Sequence, residues 1–167
     1  MKKKLYLGGG FMKKRAGFTL IELLIVMAII AALMAVLTPT ATGAMRKARA
    51  TKIAVQLRNL EQGIEQYLMA TLPATKDVDG KTLTNWRSEL QGKGFVDDTI
   101  LTDPNLETLT TSATNSNTQI EIKIVYNTRS DNLPDLVVGA LKETYGNGVS
   151  KAATKVQIIK TIDAFWW

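Results

Sequence analysis

"KKRAGFTLIELLIVMAIIAALMAVLTP" (Lys13–Pro39) decides the fold. From Leu20 to Leu37 one charged residue, Glu22, interrupts an otherwise apolar run. A helix crosses a bilayer with roughly 20 apolar residues at about 1.5 Å each, and this run has that length. Lys13, Lys14 and Arg15 stand directly before it. Basic residues favour the cytoplasmic side, so the N-terminus is expected inside and the body of the chain outside. A carboxylate within such a segment is costly and ordinarily functional.

Three readings account for the segment. A secretory signal peptide has a charge-free core of about 7–15 residues and a small-residue cleavage site. "TATGA" (Thr40–Ala44) supplies such a site, but the core here is longer and carries Glu22. A plain signal-anchor explains the length and the basic flank and leaves the acid unexplained. The third reading takes "RAGFTLIE" (Arg15–Glu22) as one unit.

That unit resembles the processing site of type IV prepilins and the related pseudopilins. The resemblance covers Lys13 to Pro39 and fades beyond. It implies cleavage after Gly17 by a prepilin peptidase and methylation of the new terminal amine on Phe18. Glu22 then falls at the fifth mature position, and Thr19, Leu20 and Ile21 match as well. The new amine is a positive charge in an apolar setting, and Glu22 supplies its counter-charge. Within one helix the two are about one turn apart; in the family the glutamate is thought to meet the amine of a neighbouring subunit. Removing one partner of a buried pair costs about 3–5 kcal/mol, so the pair acts as a register device. The implied partners are further copies of the chain in a helical filament, the peptidase, the assembly platform with its ATPase machinery, and the membrane. No cofactor and no metal are expected.

The leader "MKKKLYLGGGFMKKRAG" contains a second methionine, Met12, and initiation there leaves the short leader "MKKRAG". Of the +6 net charge, all is carried by Lys2, Lys3, Lys4, Lys13, Lys14 and Arg15; from Phe18 onward acids and bases balance. The basicity therefore belongs to the leader and not to a nucleic-acid surface. The chain has no cysteine and no histidine. Disulfides, thiolate ligands, histidine-based triads and ordinary zinc sites are excluded. Asp97 and Asp98 are adjacent acids that point in different directions. The expectation is a non-enzyme.

Beyond Pro39 the spacing of Ile53, Leu57, Leu60, Ile64 and Leu68 gives one stripe of an amphipathic helix. The helix is expected from about Phe18 to Thr71, with Pro73 as its limit and Gly63 weakening it by about 1 kcal/mol. Pro39, with Thr38, Thr40, Thr42 and Gly43, makes a weak patch and a candidate hinge. The resemblance implies that such a segment can unwind in a filament. Ala31 and Ala32 stand where many pilins carry a helix-weakening glycine.

The expected fold class is α+β, a long N-terminal spine helix whose second half packs on a small antiparallel sheet. Its parts are a cleaved leader (1–17), a transmembrane and filament-core helix (18–43), the amphipathic half of the spine (44–72) and a globular head (73–167). In the head, "TLTNWRSELQGKGF" reads as a short helix capped by Thr84 or Asn85 and ended by Gly92 or Gly94. Glu107 to Gln119, rich in Ser, Thr and Asn, reads as an exposed loop. "QIEIKIVYN" alternates as a strand, and "ATKVQIIKTIDAFWW" ends the chain as one. "DNLPDLVVGALKETYG" has helical spacing with Pro134 in the first turn, although Val137 and Val138 leave a strand open; "YGNGVS" reads as a turn. Phe165, Trp166 and Trp167 are read as tying the chain end to the core. Major pseudopilins bind calcium through acidic loops. Asp131, Asp135 and Asp163 are the candidates here, with solvated turn carboxylates the favoured reading.

The favoured function is a structural subunit of a type IV pilus. It would begin as a precursor in the cytoplasmic membrane and end in an extracellular filament for adhesion, motility or DNA uptake. The alternative is a pseudopilin of a type II secretion system, confined to the periplasm. A third reading, a monomeric membrane-anchored binding module, requires that no cleavage occur after Gly17.

Overall fold

The computed structural model describes residues 17–166, which divide into two compact units at Ala41/Thr42. In the first unit the chain runs without helix through Thr19 and enters α1 (Leu20–Thr71) at Leu20. Every side chain from Gly17 to Ala41 is exposed. α1 continues through Pro39. Proline lacks an N–H and cannot donate to the carbonyl four residues earlier. The hydroxyls beside it bond back along the helix, Thr38 to the Met34 carbonyl at 2.8 Å and Thr40 to the Val36 carbonyl at 3.0 Å.

In the second unit the far part of α1 packs on a four-stranded antiparallel sheet, giving the α+β class expected. Ala50, Ala54, Leu57, Leu60, Ile64 and Leu68 form its buried stripe, and Ile53 is half-buried at the margin. α2 (Thr75–Val78), α3 (Leu83–Leu90) and α4 (Asp98–Leu101) follow. Then come β1 (Leu106–Thr114), β2 (Gln119–Asn127), α5 (Leu133–Tyr145), a 3₁₀ turn (Gly146–Gly148), β3 (Val149–Ala152) and β4 (Lys155–Asp163). The sheet order is β1-β2-β4-β3. Ile120, Ile122 and Ile124 point into the core, and across the β2–β4 pair Ile120 faces Ile162, Ile124 faces Ile158 and Tyr126 faces Val156. Residues two apart share a face, so one register sets all of these contacts.

Several expectations are corrected. Residues 107–119 are not a loop: they form most of β1 and the hairpin into β2. The strand hides in the sequence because its buried face uses Thr111, and because the register shifts between Leu106 and Thr108. The Thr111 hydroxyl donates to the Val78 carbonyl at 2.7 Å and its N–H to the Lys81 carbonyl at 3.1 Å, so a polar residue fills a core position without an unpaired group. Threonine also favours pleated structure. The loop reading survives only at Asn115, Ser116 and Asn117, with φ of 50°, 57° and 69°, a left-handed region that asparagine tolerates. Thr82, not Thr84 or Asn85, caps α3; Asn85 sits at the third helical position and its oxygen accepts from the Thr82 N–H at 3.1 Å. "YGNGVS" is only partly a turn, since Val149 already belongs to β3. Residues 133–145 are helical, with Pro134 in the first turn and Val137 and Leu141 buried; packing outweighs the β-branched pair.

Gly63 does more than weaken a helix. A Cβ there would meet the Phe95 carbonyl oxygen at 2.3 Å and Val96 Cγ2 at 2.5 Å. The glycine lets the 95–96 backbone lie against α1.

One acid interrupts the buried stripe. Glu61 is 1% exposed. The Tyr145 hydroxyl donates to its Oε2 at 2.9 Å, and Lys160 Nζ lies 3.0 Å from its Oε1 and 2.8 Å from Glu65 Oε2. Lys160 stands opposite Ile122 on the core face of the sheet, so this cluster joins α1, α5 and β4. Burial pushes the Tyr145 phenol up, helped by the Glu61 charge. Burial disfavours the Lys160 ammonium, but its contacts with Glu65 and Glu61 outweigh that and hold its pKa above the ordinary lysine value. Both groups keep their full contribution below an unfolded pKa of about 10 and lose it as pH rises through the folded values.

Three tests follow from this packing. Gly63→Ala should lower stability by about 1–3 kcal/mol through overpacking, against the gain of about 1 kcal/mol that alanine brings to an open helix site; thermal melts read by near-UV circular dichroism measure it. Lys160→Met should cost up to about 3 kcal/mol, less than a fully buried pair because Lys160 keeps a third of its side chain in water. Adding Glu61→Leu should recover part of that loss. In the parent chain the melting temperature should fall above about pH 10, with a shallower fall in Lys160→Met/Tyr145→Phe.

Candidate functional site

The site is the start of α1. Gly17, Phe18 and Thr19 are exposed and non-helical, and nothing lies within 4 Å of the position a Cβ on Gly17 would take. Among the described residues nothing covers the Gly17–Phe18 backbone, the kind of exposed segment at which proteolysis concentrates. Phe18 is 87% exposed.

The helix begins with a capping box. The Thr19 backbone N–H and hydroxyl both donate to Glu22 Oε2 at 2.7 Å, and the Glu22 N–H points at the Thr19 hydroxyl at 3.3 Å. The Thr19 carbonyl accepts the first helical bond, from Leu23 N–H. Free N–H groups at a helix start need acceptors, and a carboxylate in the first turn is favoured by the helix dipole. Glu22 thus closes the end of its own helix. Among the described residues no donor reaches Oε1, which leaves one oxygen for another partner. The role of Thr19 was missed in reading the sequence, although "TLIE" (Thr19–Glu22) fits the capping-box pattern of Thr and Glu three apart.

Pro39 and Gly43 both lie inside α1, one in each compact unit. Nothing lies within 4 Å of the place a Gly43 Cβ would occupy, so packing does not require glycine there. The candidate calcium residues do not gather. Asp135 pairs with Lys151 at 2.6 Å, and Asp163 accepts from the Gln119 side chain at 2.9 Å. Among the described residues no group of three or more acidic side chains is placed to hold a metal. Asp97 caps α4: the Thr99 hydroxyl donates to it at 2.7 Å and the Thr99 N–H at 2.9 Å, and the hydroxyl first and the N–H second hold its carboxyl below the usual range; Asp98 accepts from Gly92 N–H at 3.2 Å. Asp79 accepts from Ala113 N–H at 2.9 Å, and Glu89 pairs with Lys81.

At the chain end Trp166 is half-buried against the core and donates from Nε1 to the Pro73 carbonyl at 3.1 Å, which ties the last strand to the end of α1. Phe165 is exposed and meets the Trp166 ring edge-on. Trp167, Met12 and the basic residues Lys13, Lys14 and Arg15 lie outside the described residues.

No curated protein and no solved structure matches the chain. The family model for the prokaryotic N-terminal methylation motif matches residues 12–38. This is the segment that contains the open Gly17–Phe18 bond, the Thr19–Glu22 cap and the exposed apolar helix. The chain carries, at residues 12–38, the class III signal peptide of type IV pilins and pseudopilins.

Proposed function

We propose that this chain is a structural subunit of a type IV pilus. It is made as a membrane-anchored precursor, cut between Gly17 and Phe18, methylated on Phe18 and polymerised through its N-terminal helix. The observation that carries this reading is the junction itself: an open glycine–phenylalanine bond, with Glu22 four residues on at the head of an uncovered apolar helix. The parts are a leader (1–17), a membrane and filament-core helix (18–43), the amphipathic spine (44–72) and the head (73–167).

Large apolar side chains such as Leu20, Ile25, Leu33 and Val36 are each about half exposed or more. In the membrane, lipid covers them; in the filament, the same helices of other copies do. Head-to-tail addition that does not close yields a fibre. Thr19 keeps the Glu22 carboxylate partnered before cleavage. Afterwards the Phe18 amine, its own or a neighbour's, takes the free oxygen. A misplaced subunit leaves that pair broken in a low dielectric, which selects one register. Pro39 and Gly43 are the proposed hinge, where the helix loosens on assembly. The chemistry is one of processing and packing, consistent with a non-enzyme of the pilin type.

The second reading, a pseudopilin of a type II secretion system, shares all of this N-terminal chemistry. Shearing cells separates the two: long surface fibres of this subunit support the pilus, while cleaved protein without surface fibres supports the pseudopilus. For either, Glu22→Ala should leave export and cleavage intact and reduce assembly to a few per cent or less, in line with the loss of about 3–5 kcal/mol per broken pair. Filament yield by microscopy and immunoblot measures it, and normal yield would remove the role given to Glu22.

A further inference from the structure

We propose that the heads of two copies meet through a specific contact, in which Phe165 of one copy enters a groove formed by Thr42, Met45, Arg46 and Arg49 on α1 of another. It rests on the head-to-tail polymer proposed above and names the surfaces that meet. Both surfaces lie in the second compact unit. Phe165 is 76% exposed. Its ring meets the Trp166 ring edge-on with centroids 5.1 Å apart, and Trp166 packs against the core and donates to the Pro73 carbonyl. An anchor held in place before binding loses little entropy on binding. Next to Pro73, Leu72 holds φ at 46° with half of its surface exposed. Glycine takes that conformation without strain, so neither backbone preference nor burial in its own chain accounts for a leucine there.

The groove has matching chemistry. It holds about 210 Å³, and a cavity of about 150 Å³ is enough to take up benzene. Met45 is exposed, and its sulfur suits the edge of an aromatic ring. Arg46 and Arg49 are exposed and three apart, so they share one side of the helix. Among the described residues neither has an ion pair, and the sequence has no acid between Glu22 and Glu61. Guanidinium groups stack on aromatic faces. Asp163, two residues before Phe165, is exposed. Its carboxylate accepts from the neutral Gln119 side chain and has no ion pair among the described residues, so it brings a negative charge toward the arginines.

One copy cannot make this contact with itself. From Arg46 to Thr71 is about 38 Å of helix at about 1.5 Å per residue, and Trp166 holds the ring beside the Thr71 end. Aromatic tip and arginine–methionine groove thus complement each other from opposite ends of one unit, which points to a second copy as the occupant. The two surfaces differ, so a copy docked by its tip leaves its own groove for the next, and the contact propagates instead of closing as a dimer.

Photo-crosslinking tests this in cells that make the full chain. Phe165→p-benzoylphenylalanine keeps an aromatic tip and, on illumination, inserts into C–H bonds within reach. The expected product is a ladder of crosslinked multimers, and mass spectrometry should find Met45 of a second copy in the linked peptide. Adding Arg46→Gln/Arg49→Gln should lower the yield about fivefold. The melting temperature of the unlinked chain should not change, because both arginines are exposed. Links elsewhere on a second copy, to lipid or to another protein overturn the proposal, as does a yield that the arginine changes leave unaltered. Microscopy of the same cells separates this contact from the pilus reading. Surface fibres without the Phe165–Met45 link overturn the contact and leave the pilus reading standing. The link in cells without surface fibres upholds the contact and counts against the pilus. The absence of both overturns both.

Discussion

Among the described residues nothing covers the first half of α1. Everything else about the molecule answers that fact. Leu20 to Leu37 is too apolar for water, and no described residue packs over it. On the proposed reading lipid covers it in the precursor and other copies cover it in the filament, two nearly equivalent solvents for it, so transfer costs little in apolar contact. What decides where a subunit stops would then be polar: a charge that needs a partner in a medium that supplies none.

Glu22 is placed for that decision by ordinary helix-end chemistry. A helix that starts in or beside lipid cannot leave its first N–H groups bare, and the Thr19–Glu22 box closes them. The Thr19 donors converge on one of its oxygens. On the proposed reading the other oxygen meets the new amine, and a folding requirement and an assembly requirement converge on one residue. The head solves a parallel problem with Glu61. There the acid is buried in the helix–sheet core, where Tyr145 donates to one oxygen and Lys160 offsets its charge beside the other. A buried pair of this kind adds less stability than alignment, since sliding the helix along the sheet strands the charge.

The spine was legible because its signals are long. An apolar run of membrane length and a stripe repeating every three or four residues survive local exceptions, and α1 ends at Thr71 as its pattern requires. β2 was legible because its isoleucines alternate, and β4 because Val156, Ile158 and Ile162 keep a two-residue spacing around Lys160. β1 was not, because its core face uses threonine and a register shift breaks the period. The turn chemistry of Asn115–Asn117 was visible, but it marked a tight hairpin instead of a long loop. Gly63 looked like a defect because a glycine's use depends on what approaches it, here the backbone at Phe95. The candidate site was legible as a place, because one short motif over residues 12–38 contains Gly17, Phe18 and Glu22. Thr19 escaped because its capping partner was already assigned another task. The Glu61 cluster could not be seen at all, since its members lie on α1, α5 and β4 and meet only in the fold.

The most direct test of this account is the N-terminus of the mature chain, determined by mass spectrometry on protein recovered from cells. The account predicts a first peptide that begins at Phe18 and carries one methyl group on its amine. A mature chain that begins at any other residue, or that retains its leader, would contradict it.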